Sequence, residues 1–131
     1  MLFAPPTFKG PSKSVLIADD DAMIVDLLAF GFEKHGFKVF KAENGLDAWN
    51  LFNNEPVDIV LTDIQMPKMD GKELTIRIRN QSQHTKIAVM TGGEIDVAAE
   101  LVQAGTADYF FQKPFDIMTI CRIFEAETQA A

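Results

Sequence analysis

The sequence predicts an α/β domain: a five-stranded parallel β-sheet, doubly wound, with helices on both faces. Three observations carry that expectation. Five short apolar runs alternate with five stretches of helical period, and strands separated by helices pair in parallel through crossovers. Val15-Leu16-Ile17-Ala18 and Ile59-Val60-Leu61 are continuously apolar, the pattern of strands covered on both sides. No internal repeat or low-complexity segment interrupts the alternation.

Taken in order, residues 1–12 hold Pro5, Pro6, Gly10 and Pro11 without periodicity and read as a flexible tail. Residues 13–131 read as one domain. Its strands are expected at Ser14–Asp19, Lys38–Ala42, Val57–Thr62, Lys86–Thr91 and Asp108–Phe111. Helices are expected at Ala22–His35, Gly45–Asn53, Gly71–Arg79, Asp96–Ala104 and Asp116–Glu127. Ile24, Leu27, Leu28 and Phe32 form the apolar stripe of the first helix. Gly36 and Gly105 stand where helix stops belong, and Asp96 and Asp116 where N-caps belong. The first and third strands are the most apolar and should be central.

Composition excludes several classes. At 131 residues, the chain is long enough to bury a core without staples. A net charge of −7 and the absence of any Lys/Arg run weigh against a nucleic-acid surface. Cys121 is the one cysteine, so no internal disulfide forms, and its neighbours Ile120 and Ile123 mark it as a small buried side chain rather than a reactive thiol. Neither a signal peptide nor a membrane span is present, and a cytoplasmic protein is expected. His35 and His84 read as exposed or capping residues. Trp49 and Phe52 read as the buried face of the second helix.

The chemistry gathers at strand ends. The first strand ends at Asp19-Asp20-Asp21, the third at Asp63, the fourth at Thr91, and the fifth leads into Gln112-Lys113-Pro114. In a parallel sheet these ends converge on one edge, where such folds place their sites. Close carboxylates repel by about 4 kcal/mol per pair at an intermediate dielectric. Mg²⁺ relieves that conflict, being a hard cation that takes one or two carboxylates with waters and phosphate oxygens. Lys113 adds a fixed positive charge. Each residue also has an ordinary explanation: the Asp pair as capping, Asp63 as a loop starter, Thr91 as a satisfied hydroxyl, Lys113 as a solvated side chain. The joint order, each at the end of a successive strand, is what the ordinary explanations do not supply.

Four segments resemble the signatures of two-component response-regulator receiver domains in order and spacing: Leu16-Ile17-Ala18-Asp19-Asp20-Asp21, Asp63 with Met66-Pro67-Lys68-Met69-Asp70-Gly71, Met90-Thr91-Gly92, and Phe111-Gln112-Lys113-Pro114-Phe115. The resemblance covers about residues 13–128. It implies a flavodoxin-like strand order, 2-1-3-4-5, carried over rather than derived, since receiver proteins are themselves a standard example of that order. It further implies that Asp63 accepts a phosphoryl group from a sensor histidine kinase or a histidine phosphotransfer protein, with Mg²⁺ as cofactor. Asp20 would ligate the metal, Asp19 would assist through a water, and Asp63 and the Gln65 backbone carbonyl would complete the protein ligands. Thr91 would hydrogen-bond the phosphoryl group, Lys113 would pair with it, and the Lys113–Pro114 bond would be cis. The chain would catalyse only its own phosphorylation and dephosphorylation and would not be an enzyme in the usual sense.

The resemblance also implies a switch. Thr91 would swing toward the phosphoryl group and the aromatic three residues before Lys113, Phe110, would rotate into the vacated space. The family often has Tyr there; this chain has Tyr109 one position earlier, and an ordinary core role for Phe110 stands equally. Gly92 and Gly93 replace the commoner Ala and bulkier residue, which opens the loop. With Gln65 at a position that tunes dephosphorylation, a mark lasting minutes rather than days is expected. The responding surface would be the fourth helix, fifth strand and fifth helix, where Ile117, Met118, Ile120, Cys121, Ile123 and Phe124 form a wide apolar stripe. That surface would serve a downstream protein target or a homodimer, while the phosphohistidine donor would dock on the charged loops near Asp19–Asp21 and Lys68–Asp70.

Three other readings compete. An aspartate-nucleophile phosphohydrolase would need Asp-x-Asp, and Asp63-Ile64-Gln65 lacks the second acid. A receiver-like interaction scaffold would not need the acidic set with Thr91 and Lys113. A nucleotide- or flavin-binding module would need a Gly-rich loop where Asp19-Asp20-Asp21 stands.

Overall fold

A computed structural model describes residues 13–129. The expected tail, residues 1–12, lies outside the described residues. The elements run β1 (Ser14–Ala18), α1 (Ala22–Lys34), β2 (Lys38–Ala42), α2 (Gly45–Asn54), β3 (Ile59–Asp63), α3 (Gly71–Gln81), β4 (Lys86–Thr91), α4 (Ile95–Gln103), β5 (Tyr109–Gln112) and α5 (Ile117–Gln129). All strand pairs are parallel, in the order β2-β1-β3-β4-β5. The fold class and strand order are those expected, with β1, β3 and β4 in the interior of the sheet.

The period-2 alternation of the strands divides the core in two. Val15, Ile17, Ile59, Leu61, Ala88 and Met90 face α1 and α5, packing on Leu28, Phe32, Ile120 and Phe124. Leu16, Ala18, Val60, Ile87 and Val89 face the other way, onto Ala48, Leu74, Ile78, Ala98 and Leu101 of α2, α3 and α4. Each fully buried Leu, Ile or Phe contributes about 1.5–3 kcal/mol of transfer free energy. Cys121 is fully buried in the first cluster, and burial first, then Glu125 and Asp116, pushes its thiol up to about 11.

Helix boundaries follow local chemistry. Asp21, Asn44 and Asp70 accept N–H bonds at the starts of α1, α2 and α3, and Asp116 accepts from the Met118 N–H. Gly36 and Gly105 take positive φ, 86° and 78°, as helix-stopping glycines do. α4 departs from expectation. It begins one residue early, so Asp96 lies in its first turn and Glu94 occupies the N-cap position without a side-chain cap bond. Val57-Asp58 lies outside β3, which ends on Asp63 instead; the Asp58 carboxylate turns back to the Ser14 N–H and hydroxyl.

Two apolar stripes also differ from expectation. In α1, Leu28 and Phe32 are buried, but Leu27 is 50% exposed and joins Met23 (71%) and Phe30 (60%) on a solvent face. In α5, Ile120, Cys121 and Phe124 are core, and Met118 is the exposed member of the stripe. Of these two helices, α1 therefore carries more of the exposed apolar surface.

Candidate functional site

The register of the sheet decides where the site lies. Ala18 pairs with Thr62 and Asp63 pairs with Met90, so Asp19, Asp63 and Thr91 emerge together at the carboxyl edge. Asp19 is fully buried and Asp63 is 8% exposed, while Asp20 faces solvent. Oxygen atoms of Asp19, Asp20 and Asp63 lie within 4.8 Å of one another. Lys113, carried in by the β5–α5 loop, places Nζ 2.8 Å from Asp19 Oδ2 and 3.5 Å from Asp63 Oδ1. The Lys113–Pro114 peptide bond is cis.

Backbone groups orient the acids. The Asp21 N–H donates to Asp19 Oδ1 at 2.9 Å, and the Ile64 N–H donates to Asp63 Oδ1 at 3.0 Å. Asp63 Oδ2 is left on the open side, free of hydrogen bonds among the described residues. Burial, then the neighbouring Asp19 charge, raises the Asp63 carboxyl to about 6, against the opposing pull of Lys113 and the Ile64 N–H. For Lys113, burial works to lower the pKa, but the hydrogen bonds and charges of Asp19 and Asp63 hold it above its ordinary value. A paired buried carboxylate and ammonium beside a second, strained carboxylate is a site short of positive charge. The donor set is all oxygen and anionic, which suits a hard divalent cation and not a soft one.

Thr91 is 3% exposed, and its Oγ1 accepts from the Gly93 N–H at 3.1 Å and the Glu94 N–H at 2.7 Å. Gln65 lies exposed in the loop after Asp63 and borders a groove with Met66, Asp70, Lys72, Glu94 and Val97. Phe110 is 37% exposed. It pairs with Val89, two residues before Thr91, so it shares the sheet face of Thr91 on the neighbouring strand. Tyr109 faces the opposite way. Its ring packs on Phe111 and Phe124, and its hydroxyl donates to Glu127, which with burial raises it to about 12.

Sequence reasoning missed how tightly the loop that frames Asp63 is packed. Lys68 takes φ 70°, Met69 is buried, and two glycines packed against this loop, Gly45 at the start of α2 and Gly71 at the start of α3, are sterically required. A Cβ at Gly45 would meet Met69 O at 1.9 Å, and one at Gly71 would meet Asp63 O at 2.0 Å. Pro67 and Gly71 marked a loop in the sequence, but the close approach of α2 to Met69 left no local signal. Gly92 and Gly93, by contrast, have open space where a Cβ would go and no positive φ.

This geometry agrees with comparison to known proteins. The sequence matches the family model of the response regulator receiver domain over residues 15–125. The chain belongs to the response regulator receiver domain family. It is 37% identical over 107 residues to sporulation initiation phosphotransferase F of Bacillus subtilis, covering 81% of this chain and 86% of that protein. It is 32% identical over 120 residues to the response regulator GtcR of Aneurinibacillus migulanus, covering 92% of this chain and 49% of GtcR. The receiver spans between 22% and 44% of three further curated relatives, so in those proteins it is one part of a longer chain. In fold, it is similar to a CheY-like receiver domain of Methanospirillum hungatei, with TM-score 0.84 at 24% identity over 92% of this chain and 96% of that one. Receiver domains act in two-component systems and are phosphorylated on an aspartate, and this chain is a member by sequence as well as by fold. Among the described residues no helix is long and apolar enough to cross a membrane.

Proposed function

We propose that Asp63 is the phosphoacceptor of a cytoplasmic phosphorelay receiver. The observation that carries the assignment is its environment: a carboxylate raised to about 6, one oxygen tethered by Ile64 and Lys113 and the other open to solvent. Asp63 attacks phosphorus with its free oxygen, and the phosphorus–nitrogen bond of a phosphohistidine breaks. The imidazole leaves with the bond's electrons and takes up a proton.

Phosphoryl transfer passes through a loose transition state with charge on the equatorial oxygens, so positioning and charge stabilisation do most of the work. Lys113 supplies an ammonium at one side, held in place by Asp19. Asp19, Asp20, Asp63 and the Gln65 backbone carbonyl are the groups suited to hold Mg²⁺, which when bound would neutralise the acids and the phosphoryl oxygens. Thr91 donates to the new phosphoryl group. The mixed anhydride formed at Asp63 remains open to water past Gln65, Gly92 and Gly93, so the chain catalyses the gain and loss of its own mark and nothing else.

Two partner surfaces follow. A shallow groove formed by Ile24, Leu27, Pro114, Phe115 and Ile117 has Lys113 in its wall. With the exposed Met23, Leu27 and Phe30, it forms an apolar platform that reaches the phosphoacceptor. We place the phosphohistidine donor, a sensor kinase or phosphotransfer protein, on this α1 platform as well as on the charged loops, because Lys113, 3.5 Å from Asp63, lines the adjoining groove. The α4–β5–α5 surface, with Ile95, Phe110 and Met118 exposed, is left for a downstream target or a second copy.

Acetyl phosphate with Mg²⁺ tests the assignment. Intact mass should show one phosphoryl group on the wild type and none on Asp63→Asn. Steady release of phosphate from a phosphomonoester would instead favour a hydrolase.

A further inference from the structure

The loop that carries Gln65 is held by a helix distant in sequence. Residues 65–70 connect Ile64 to Gly71, whose N–H donates to Ile64 O at 2.7 Å and closes the loop at its base. Between those ends Met69 alone is buried, while Gln65, Pro67, Lys68 and Asp70 are exposed. A contact of 3.9 Å from the Thr62 hydroxyl to the Met66 sulfur, a poor acceptor, adds little. The Gln65 carbonyl accepts no hydrogen bond among the described residues, so the packing of the loop fixes its direction. That packing comes from α2. A Cβ at Gly45 would lie 1.9 Å from Met69 O, 2.7 Å from its carbonyl carbon and 2.8 Å from its Cβ. Gly45 is in turn fixed by the cap before it. Buried Asn44 accepts the Asp47 N–H at 2.8 Å and donates to the Asp47 carboxylate at 3.0 Å.

We propose that Gly45 is a positioning residue for Mg²⁺: lacking a side chain, it lets Met69 seat against α2 and so sets where the Gln65 carbonyl points. This deepens the reading of Asp19, Asp20, Asp63 and Gln65 as the metal-holding set and rests on it. Mg²⁺ demands near-octahedral geometry, so a ligand carried on a loop serves only if the loop is preset. A side chain at Gly45 has to push Met69 away by roughly 1 Å, where a binding constellation tolerates about 0.5 Å. The atom it meets is backbone and cannot rotate aside. Gly71 pins the base of the loop against Asp63, so residues 65–69 take up the displacement. The carboxylates at the ends of β1 and β3 stay where the sheet register puts them. The loop carbonyl then falls out of line with the acids.

Titration of MgCl₂ into ¹⁵N-labelled protein, followed at the Ile64 and Gln65 amide resonances, tests this without phosphorylation. Gly45→Ala should weaken Mg²⁺ binding about tenfold, the lower end of what losing an outer support of a metal ligand costs. A merely structural role would lower stability and leave the Kd alone. Gly36→Ala shows what that outcome looks like. Its φ of 86° makes alanine destabilising, but a Cβ there meets nothing within 4 Å. Its Kd should stay within about twofold of wild type, as for a distant, independent site. An unchanged Kd in folded Gly45→Ala would overturn the proposal. No Mg²⁺-dependent shift in the wild type would instead overturn the metal reading. Should Gly45→Ala fail to fold, Asn44→Ala decides, because it loosens the first turn of α2 and leaves Gly45 in contact. Its binding should weaken about threefold, less than the whole worth of a helix cap. An unchanged Kd there would equally overturn the proposal.

Discussion

Gly71 and Asp63 are pressed together: a Cβ on Gly71 would lie 2.0 Å from the Asp63 carbonyl oxygen. The Gly71 N–H also donates to Ile64 O at 2.7 Å. The start of α3 therefore braces the backbone that presents Asp63. Only a residue without Cβ allows the approach, because the obstructing atom is backbone and cannot rotate away.

Gly71→Ala should destabilise the fold by about 3 kcal/mol through overpacking. Chemical denaturation reads the loss. Gly92→Ala, where a Cβ meets open space, should change stability by less than about 0.5 kcal/mol.

Asp63 should give metal-free stability a distinct pH dependence. Its carboxyl is raised from 3.8 to about 6 on folding, so below pH 3.8 both states are protonated and the group's contribution is complete. As pH rises from about 4 to 6, the unfolded chain releases the proton first, and the contribution is lost. Asp63→Asn should remove this loss and be more stable than wild type at pH 7 by about 1–2 kcal/mol after allowance for solvent screening. Urea denaturation of both proteins in EDTA across that range measures the difference, and adding Mg²⁺ should narrow it.

Lys113→Ala should fold yet fail to respond. Losing the ammonium leaves Asp19 and Asp63 facing each other without compensation, a cost of about 1–3 kcal/mol. Phosphorylation by acetyl phosphate should fall at least about a hundredfold, as for loss of a charge-stabilising donor. A normal response from this variant would mean that Lys113 is not part of the clamp.

The α1 platform should matter for donor proteins and not for small phosphodonors. Phe30→Ser should slow transfer from a phosphohistidine protein about tenfold, equivalent to losing one apolar anchor. Its rate with acetyl phosphate should stay within about twofold of wild type. Stopped-flow fluorescence or mass spectrometry separates the two.

The sheet was legible because its signal is local. Continuous apolar runs marked β1 and β3, and Asp116, Gly36 and Gly105 set helix ends through their own backbone chemistry. The acidic residues, Thr91 and Lys113 were legible through their order at successive strand ends. What escaped depends on contacts distant in sequence. Leu27 and Leu28 are adjacent and equally apolar, yet only packing on the sheet buries one and leaves the other half exposed. Glu94 displaced Asp96 as the α4 boundary because Thr91 fixes the preceding loop. Gly45 reads as a helix start, while its necessity comes from Met69, on another loop.

Borohydride trapping tests the central claim most directly. Reduction of an aspartyl phosphate converts that side chain to homoserine, which peptide sequencing by mass spectrometry locates. After acetyl phosphate and Mg²⁺, the account predicts homoserine at position 63 alone. Homoserine at position 19 or 20, or a phosphorylated chain with no reducible residue, would contradict it.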